Sequence, residues 1–331
     1  MSADPVGPPR PVEARPGAPA RPAVAIIGAG RAGTVLARAL QRSGYRVTAV
    51  HSLSLESARS LAAQVGAEAV PTAVAAVLRS EVTLLTVPDR AIGRLAATVA
   101  ASGLALRGHA LVHCSGAQSR EALAAARAGG AAVACCHPLS ALARGSDPAE
   151  LQGSFFGIDA DPELGEMLER MVHDLGGVPF QAPSGDRALY HAAAVLAGNA
   201  PLALLARASE LLTAAGVDAA VAGPALAGLL EGAARNARRL GPRAALTGPV
   251  VRNDPATVSS HLEALRGDPQ TQQLYHRLAR ETLRTTGATG RDQVAELLST
   301  GPRPGRTPVP RPAPARSGTA ARTARLRRAS G

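Results

Sequence analysis

Short apolar runs separated by amphipathic stretches set out the first half of the chain. Val24–Ile27 is a four-residue apolar run halted by Gly28, the pattern of a strand buried on both faces. Residues 34–43 place Leu36 and Leu40 on one helical face and stop at Gly44. Residues 47–50 predict a second strand, and Ser54 a cap for a helix reaching about residue 65. Further strands are predicted at 82–87, closed by Pro88-Asp89, at 111–112 and at 131–135, with an Ala-rich helix between the last two. A strand at 155–158, a helix at 163–175 and a strand at 178–180 complete the series. Strands alternating with helices predict an α/β domain with a doubly wound parallel sheet.

From Gly185 the period changes. Only helical spacing remains, at 187–215, 219–240, 257–266, 270–286 and 291–299. Pro183-Ser184-Gly185-Asp186 is a turn cluster with a helix cap, and marks the boundary. The expected plan is a disordered segment at 1–22, an α/β domain at 23–184, an all-α domain at 185–300 and a disordered Arg/Pro-rich tail at 301–331.

Charge changes this picture little once it is located. The formal net charge is +11, of which +8 falls in residues 301–331 and +1 in the first 22, leaving +2 on the body. A near-neutral body with three Tyr, three Phe and no Trp is not the footprint of a nucleic-acid binder. All 36 basic residues are Arg. Mechanisms that need a lysine in the chain, Schiff-base catalysis and the phosphate-binding loop of ATPases among them, are therefore excluded. Three cysteines, Cys114, Cys135 and Cys136, give no disulfide framework. The Pro-rich start is no secretory leader, and no uncharged apolar run reaches membrane-spanning length. The expectation is a cytoplasmic protein with no membrane or nucleic-acid partner.

The first chemical motif is Gly28-Ala29-Gly30-Arg31-Ala32-Gly33, which follows a buried strand and opens a helix. In that context it reads as the dinucleotide-binding turn of a Rossmann domain. Gly28 allows the tight turn, Gly30 lets the backbone approach a pyrophosphate, and Gly33 lets helix and strand pack closely. The helix N-terminus then faces the anion. The second strand ends Val50-His51-Ser52-Leu53-Ser54 without the acid that would bond the ribose of NAD. His51, Ser52 and Ser54 suit a 2′-phosphate, with Arg31 or Arg59 supplying charge, so NADP is expected in preference to NAD. The alternative role of the serines is to cap the next helix.

Ligands of such sheets lie beyond the carboxyl ends of the strands. Val87 and Pro88 are expected against the nicotinamide, Ser115 and Gly116 near its ribose or a substrate oxygen, and His137 on the substrate cleft. His113, Cys114, Cys135, Cys136 and His137 raise the question of zinc. However, the strand period sends adjacent cysteines to opposite faces and there is no CxxC spacing, so no metal is expected. His191, Val195 and Asn199, four apart, share one face of the first long helix. That face either closes over the nicotinamide, with His191 as acid/base and Asn199 as orienter, or holds a structural histidine. Arg252, in the Thr247–Asp254 loop, either clamps a substrate carboxylate or pairs with Asp254 or Asp268.

The stretches GAGRAGTVLARAL, LLTVPDRAI, VHCSGAQS, CHPL, LGGVPF, YHAAAVLAGN, ALTGPVVRND and TVSSHLEAL resemble a family that joins a Rossmann-like domain to domain of unknown function 2520. The resemblance implies a helical domain similar to the C-terminal domain of 6-phosphogluconate dehydrogenase, NADP at the Rossmann cleft, and dimerisation through the helices. More distantly the chain resembles ketopantoate reductase, pyrroline-5-carboxylate reductase and prephenate dehydrogenase. It departs from the first in having His191 at the lysine position and Val195 at the middle asparagine. The expected function is an NADP-dependent oxidoreductase acting on a small carboxylate-bearing metabolite, and the alternative is a non-catalytic NADP-binding sensor or partner protein.

Overall fold

The computed structural model describes residues 20–143, 145–287 and 293–299. Most of the segment expected at 1–22 and the whole Arg/Pro-rich tail lie outside the described residues. The chain divides into two compact units, residues 1–203 and 204–331. The expected boundary after residue 184 lies within the first of these units, and the division itself falls inside the helix expected at 187–215.

The first unit is built on one eight-stranded sheet. Its strands are β1 (Val24–Ile27), β2 (Val47–His51), β3 (Glu68–Ala69), β4 (Val82–Leu85), β5 (Ala110–His113), β6 (Ala132–Leu139), β7 (Phe155–Asp159) and β8 (Val178–Gln181). Their order across the sheet is β3-β2-β1-β4-β5-β6-β7-β8. The chain leaves β1 in one direction and resumes at β4 in the other, so the switch point lies at the end of β1.

One pair departs from the expected all-parallel sheet: β6 and β7 are antiparallel, with His137 opposite Gly157. A parallel return needs a crossover of helical length. The link from Leu139 to Phe155 holds only the short 3-10 turn Pro148–Leu151, so the chain comes straight back.

Helices α1 (Arg31–Arg42), α2 (Leu55–Val65), α3 (Ala73–Val77), α4 (Asp89–Ala100), α5 (Ala124–Ala128) and α6 (Pro162–Asp174) cover the two faces. Alternate strand residues feed separate cores. Val24 and Ile26 join Leu36, Leu40, Phe156 and Leu168, while Ala25 and Ile27 join Leu85, Ile92, Leu111 and Leu123. Each such side chain contributes about 1.5–3 kcal/mol on burial. Strand β3 and helices α3 and α4 were absent from the sequence reading. The first two are too short to show a period, but Ile92, Ala96 and Val99 are the buried stripe of α4 and carry the signal in plain view.

Helix α7 (Arg187–Gly198) and α8 (Ala200–Ala214) follow, interrupted at Asn199. Together they run Arg187–Ala214, with a mean hydropathy of 1.4 over a window of which nothing is buried. By length and composition alone this is long and apolar enough to cross a membrane, where the sequence reading found no such run. The difference is that the helix carries Arg187, His191, Arg207 and Glu210, so it is not an uncharged run.

The second unit contains α9 (Ala219–Leu240), α10 (Pro242–Ala245), α11 (Pro255–Ala264), α12 (Pro269–Thr286) and α13 (Gln293–Ser299). Its small core is Val258, Ala279, Val294 and Leu298. The starts of α9, α11 and α12 are capped by Asp218, Asp254 and Asp268, each accepting from an amide in the first turn.

Candidate active site

Two cavities open at the carboxyl ends of the strands of the first unit. The first, about 340 Å³, is lined by Ile27 to Gly30, His51, Ser52, Leu53, Thr86, Val87, Pro88, Ala91, Arg94, Leu95 and Thr98. The glycine turn gives it its shape. Gly28 has φ +111°, and a Cβ there would stand 2.5 Å from the Thr86 carbonyl. A Cβ on Gly33 would fall 1.9 Å from the Gly28 carbonyl oxygen, so only glycine lets α1 come this close to β1. The Thr86 hydroxyl locks the turn by donating to that oxygen at 2.7 Å.

Above Gly30, by contrast, there is nothing within 4 Å of a built Cβ. Gly30 is also the N-cap of α1 and offers no side-chain cap, and no acid stands in the first turn. Unsatisfied amides at a helix N-terminus, with free space above them, fit the pyrophosphate of a dinucleotide.

The residues expected around the cofactor separate on this framework. Gly28, Ala29, Gly30, His51, Ser52, Val87 and Pro88 line the first cavity. Val87 and Pro88 share this space with His51 at the end of β2. Ala32 and Gly33 pack within the first turns of α1. Ser54 does not line the cavity; its hydroxyl caps α2, accepting from the Ser57 amide at 3.2 Å. The His51 Nδ1 is 3.2 Å from the Val70 carbonyl and must carry a proton to bond it. Arg94 and Thr98, one turn apart on α4, were not picked out in sequence. No acidic residue lines this space.

The second cavity, about 520 Å³, is lined by Arg31, His137 to Ala143, His191, Ala194, Val195, Ala197, Gly198, Asn199 and Leu202. The shared face of His191, Val195 and Asn199 and the end of β6 therefore meet in one space. Arg31 faces this cavity and not the first.

Beneath it the β5 loop comes very near. A Cβ on Gly116 would stand 2.7 Å from both His137 Cε1 and His191 Nδ1. The two imidazole centroids are 6.2 Å apart. The His137 Nδ1 is 2.9 Å from the Tyr190 hydroxyl, whereas the His191 Nδ1 is buried with no partner among the described residues. Burial drives the His137 pKa down to about 4, and the positive Arg187 pushes the same way against Asp89.

Ser115 serves the fold instead of the cavity. Its hydroxyl accepts from the amides of Ala117 and Gln118 at 3.1 and 3.3 Å, and its side chain lines neither space. His113 is likewise occupied. Its Nε2–H donates to the Ser119 carbonyl at 3.0 Å and its Nδ1 accepts from the Ser115 amide at 3.2 Å.

Arg187 is the unexpected member of the site. It is 4 % exposed and bonds the Ser115 carbonyl at 3.1 Å and the Cys135 sulfur at 2.9 Å. Its guanidinium lies 4.7 Å over the Tyr190 ring. No carboxylate pairs with it among the described ion pairs. Burial pushes the Cys135 thiol up to about 12 despite this cation, and raises Cys114 and Cys136 as well. The three thiols are packing groups, inert as nucleophiles at neutral pH. Cys136 packs in the Leu36 and Phe156 core, and no group of three His, Cys, Asp or Glu converges among the described residues.

Arg252 lies in the second unit. It is exposed and makes no ion pair among the described residues, although its charge helps lower the Asp254 pKa behind the α11 cap.

Comparison with known proteins agrees with this architecture. Residues 8–138 match the Rossmann-like domain model and residues 154–282 match domain of unknown function 2520. No protein of curated function matches the sequence. Among solved structures the chain is similar to the candidate NADP oxidoreductase BF3122 of Bacteroides fragilis, at 28 % identity and TM-score 0.66, covering 80 % of this chain and 98 % of that one. It is similar to protein TM1727 of Thermotoga maritima at 26 % identity and TM-score 0.61, with the same coverage. An imine reductase from a Pseudomonas species shares the fold at 21 % identity and TM-score 0.56, covering 85 % and 99 %. The chain thus has a Rossmann-like domain followed by domain of unknown function 2520, in a fold it shares with NAD(P)-dependent reductases.

Proposed function

We propose that this protein is an NADP-dependent oxidoreductase that transfers a hydride between the nicotinamide and a small carboxylate-bearing metabolite. The observation that carries the reading is the open, uncapped glycine turn at the α1 N-terminus, with a second, side-chain-lined cavity beside it. Gly28 to Gly33 would hold the pyrophosphate, and Ser52 with Arg94 the 2′-phosphate. The absence of any acid from that lining favours NADP over NAD.

When bound, the nicotinamide supplies the hydride chemistry. The protein supplies the rest. Arg31 attracts the carboxylate, His137 bonds the reacting group, His191 gives or takes the proton, and Asn199 orients the substrate from the rim. Arg252 is a second candidate for holding a substrate carboxylate. The exposed Leu196 and Leu229 support a homodimer formed through the helices.

The test is calorimetric titration with NADPH and NADH, then NADPH oxidation against a panel of small oxo and imino acids. The reading expects tighter NADPH binding and turnover that is lost in His191→Ala. Tight binding without turnover over the panel would favour the non-catalytic sensor. No binding of either nucleotide would end both.

A further inference from the structure

The His137–Tyr190 contact decides which nitrogen of His137 carries the proton. The Tyr190 hydroxyl has one hydrogen, and its one described partner is the His137 Nδ1 at 2.9 Å. Gly157 closes the other side of the hydroxyl, since a Cβ there would stand 2.7 Å from the oxygen. With the hydroxyl as donor, Nδ1 accepts, and in a neutral imidazole the hydrogen then sits on Nε2. That nitrogen belongs to the edge of the ring over Gly116, on the cavity that His137 lines.

The charges around the cavity point the same way. Arg31 lines it and buried Arg187 stands behind Tyr190. Asp89 acts on His137 in the opposite sense, and no acid lines the cavity among the described residues. Such a site repels a protonated imine and favours an oxygen on which negative charge develops.

We propose that Tyr190 is a positioning residue that fixes His137 as an Nε2–H donor, and that this cavity takes a substrate reacting through a neutral carbonyl and its alcohol, not through a protonated imine. This inference rests on the oxidoreductase reading above. In the reducing direction a hydride from the reduced nicotinamide forms the new C–H bond, and the C=O electron pair moves onto oxygen. The His137 Nε2–H bonds that oxygen as its charge grows, and the proton that completes the alcohol comes from His191, which regains one from solvent. A neutral imidazole suits the donor role because its proton is shared and not surrendered.

Two measurements test it. The first is long-range 15N–1H NMR of the full chain with labelled histidine, the His137 signal being assigned by its loss in His137→Gln. The proposal expects a neutral ring at pH 5.5, protonated on Nε2, which becomes a mixture of tautomers in Tyr190→Phe. A proton on Nδ1, or no change in Tyr190→Phe, would overturn it.

The second compares NADPH oxidation by 2-oxo acids of three to six carbons with oxidation by cyclic imino acids of matching length. The proposal expects the oxo acids to be preferred by at least about tenfold in kcat/KM. It also expects Tyr190→Phe to lower kcat with KM little changed. Preference for the imines, or turnover of neither class, would overturn the substrate assignment. NADPH affinity, measured separately, reports on the oxidoreductase reading itself, and its loss would sink that reading while leaving the tautomer result intact.

Discussion

The two cavities are made in opposite ways. The first is founded on backbone: Gly28 and Gly30 line it, the close contact of Gly33 with the Gly28 carbonyl holds the turn in place, and side chains from β2, β4 and α4 form the walls. The second is a side-chain object assembled from the start of α1, the end of β6 and the inward face of α7, with Gly116 leaving the space beneath. A backbone site tolerates changes at its edge but not an added Cβ where chains touch. A side-chain site depends on charge and on the direction of each ring. The predictions below separate these two behaviours.

The largest effect is expected at Gly33. A valine would drive its Cβ into the Gly28 carbonyl, so Gly33→Val should separate α1 from β1, destabilise the fold by about 3 kcal/mol, read as a lowered urea midpoint, and abolish NADPH binding. Unchanged affinity would show that the turn is not the anchor. Gly116→Ala comes next. Its Cβ displaces both histidines, and we expect a cost of about 1–3 kcal/mol with turnover reduced at least about tenfold. NADPH affinity should stay near wild type, which distinguishes damage to the second cavity from damage to the first.

Arg187→Met should act through charge. Removing a cation that depresses His137 must raise its pKa from about 4 toward the ordinary 6.5, which NMR titration would read directly. The sign for stability follows. Between those values the unfolded state binds the proton and the folded state does not, so wild-type stability should fall as pH drops from about 6.5 to about 4. That loss should be smaller in Arg187→Met. The smallest effect is at Ser54. If it caps α2, Ser54→Ala costs about 1 kcal/mol and leaves NADPH affinity unaltered. A large loss of affinity would return it to the phosphate site.

The same contrast explains what was legible in the sequence. The glycine turn could be read because its chemistry is local, with each glycine answering a demand within the strand–turn–helix unit. The strands and most helices could be read because burial on both faces leaves continuous apolar runs. The antiparallel β7 could not be read from periodicity, which is blind to direction; the missing helix between 139 and 155 was the available signal.

The second cavity was visible only in part. His191, Val195 and Asn199 share a face through helical spacing alone, but Tyr190 and Arg187 matter because of contacts across long stretches of chain. The hydroxyls of Ser115 and Ser54 bond their own loop and helix, a use of serine that sequence alone does not separate from ligand binding. Arg94 went unseen because α4 itself did.

The central claim is that one dinucleotide joins the two cavities, its diphosphate on the glycine turn. A crystal structure of the full chain grown with NADP+ tests this most directly. The account predicts the adenosine between Ser52 and Arg94, the diphosphate against the amides at the start of α1, and the nicotinamide reaching the space between His137 and His191. A nucleotide bound elsewhere, or a nicotinamide turned away from both histidines, would contradict it.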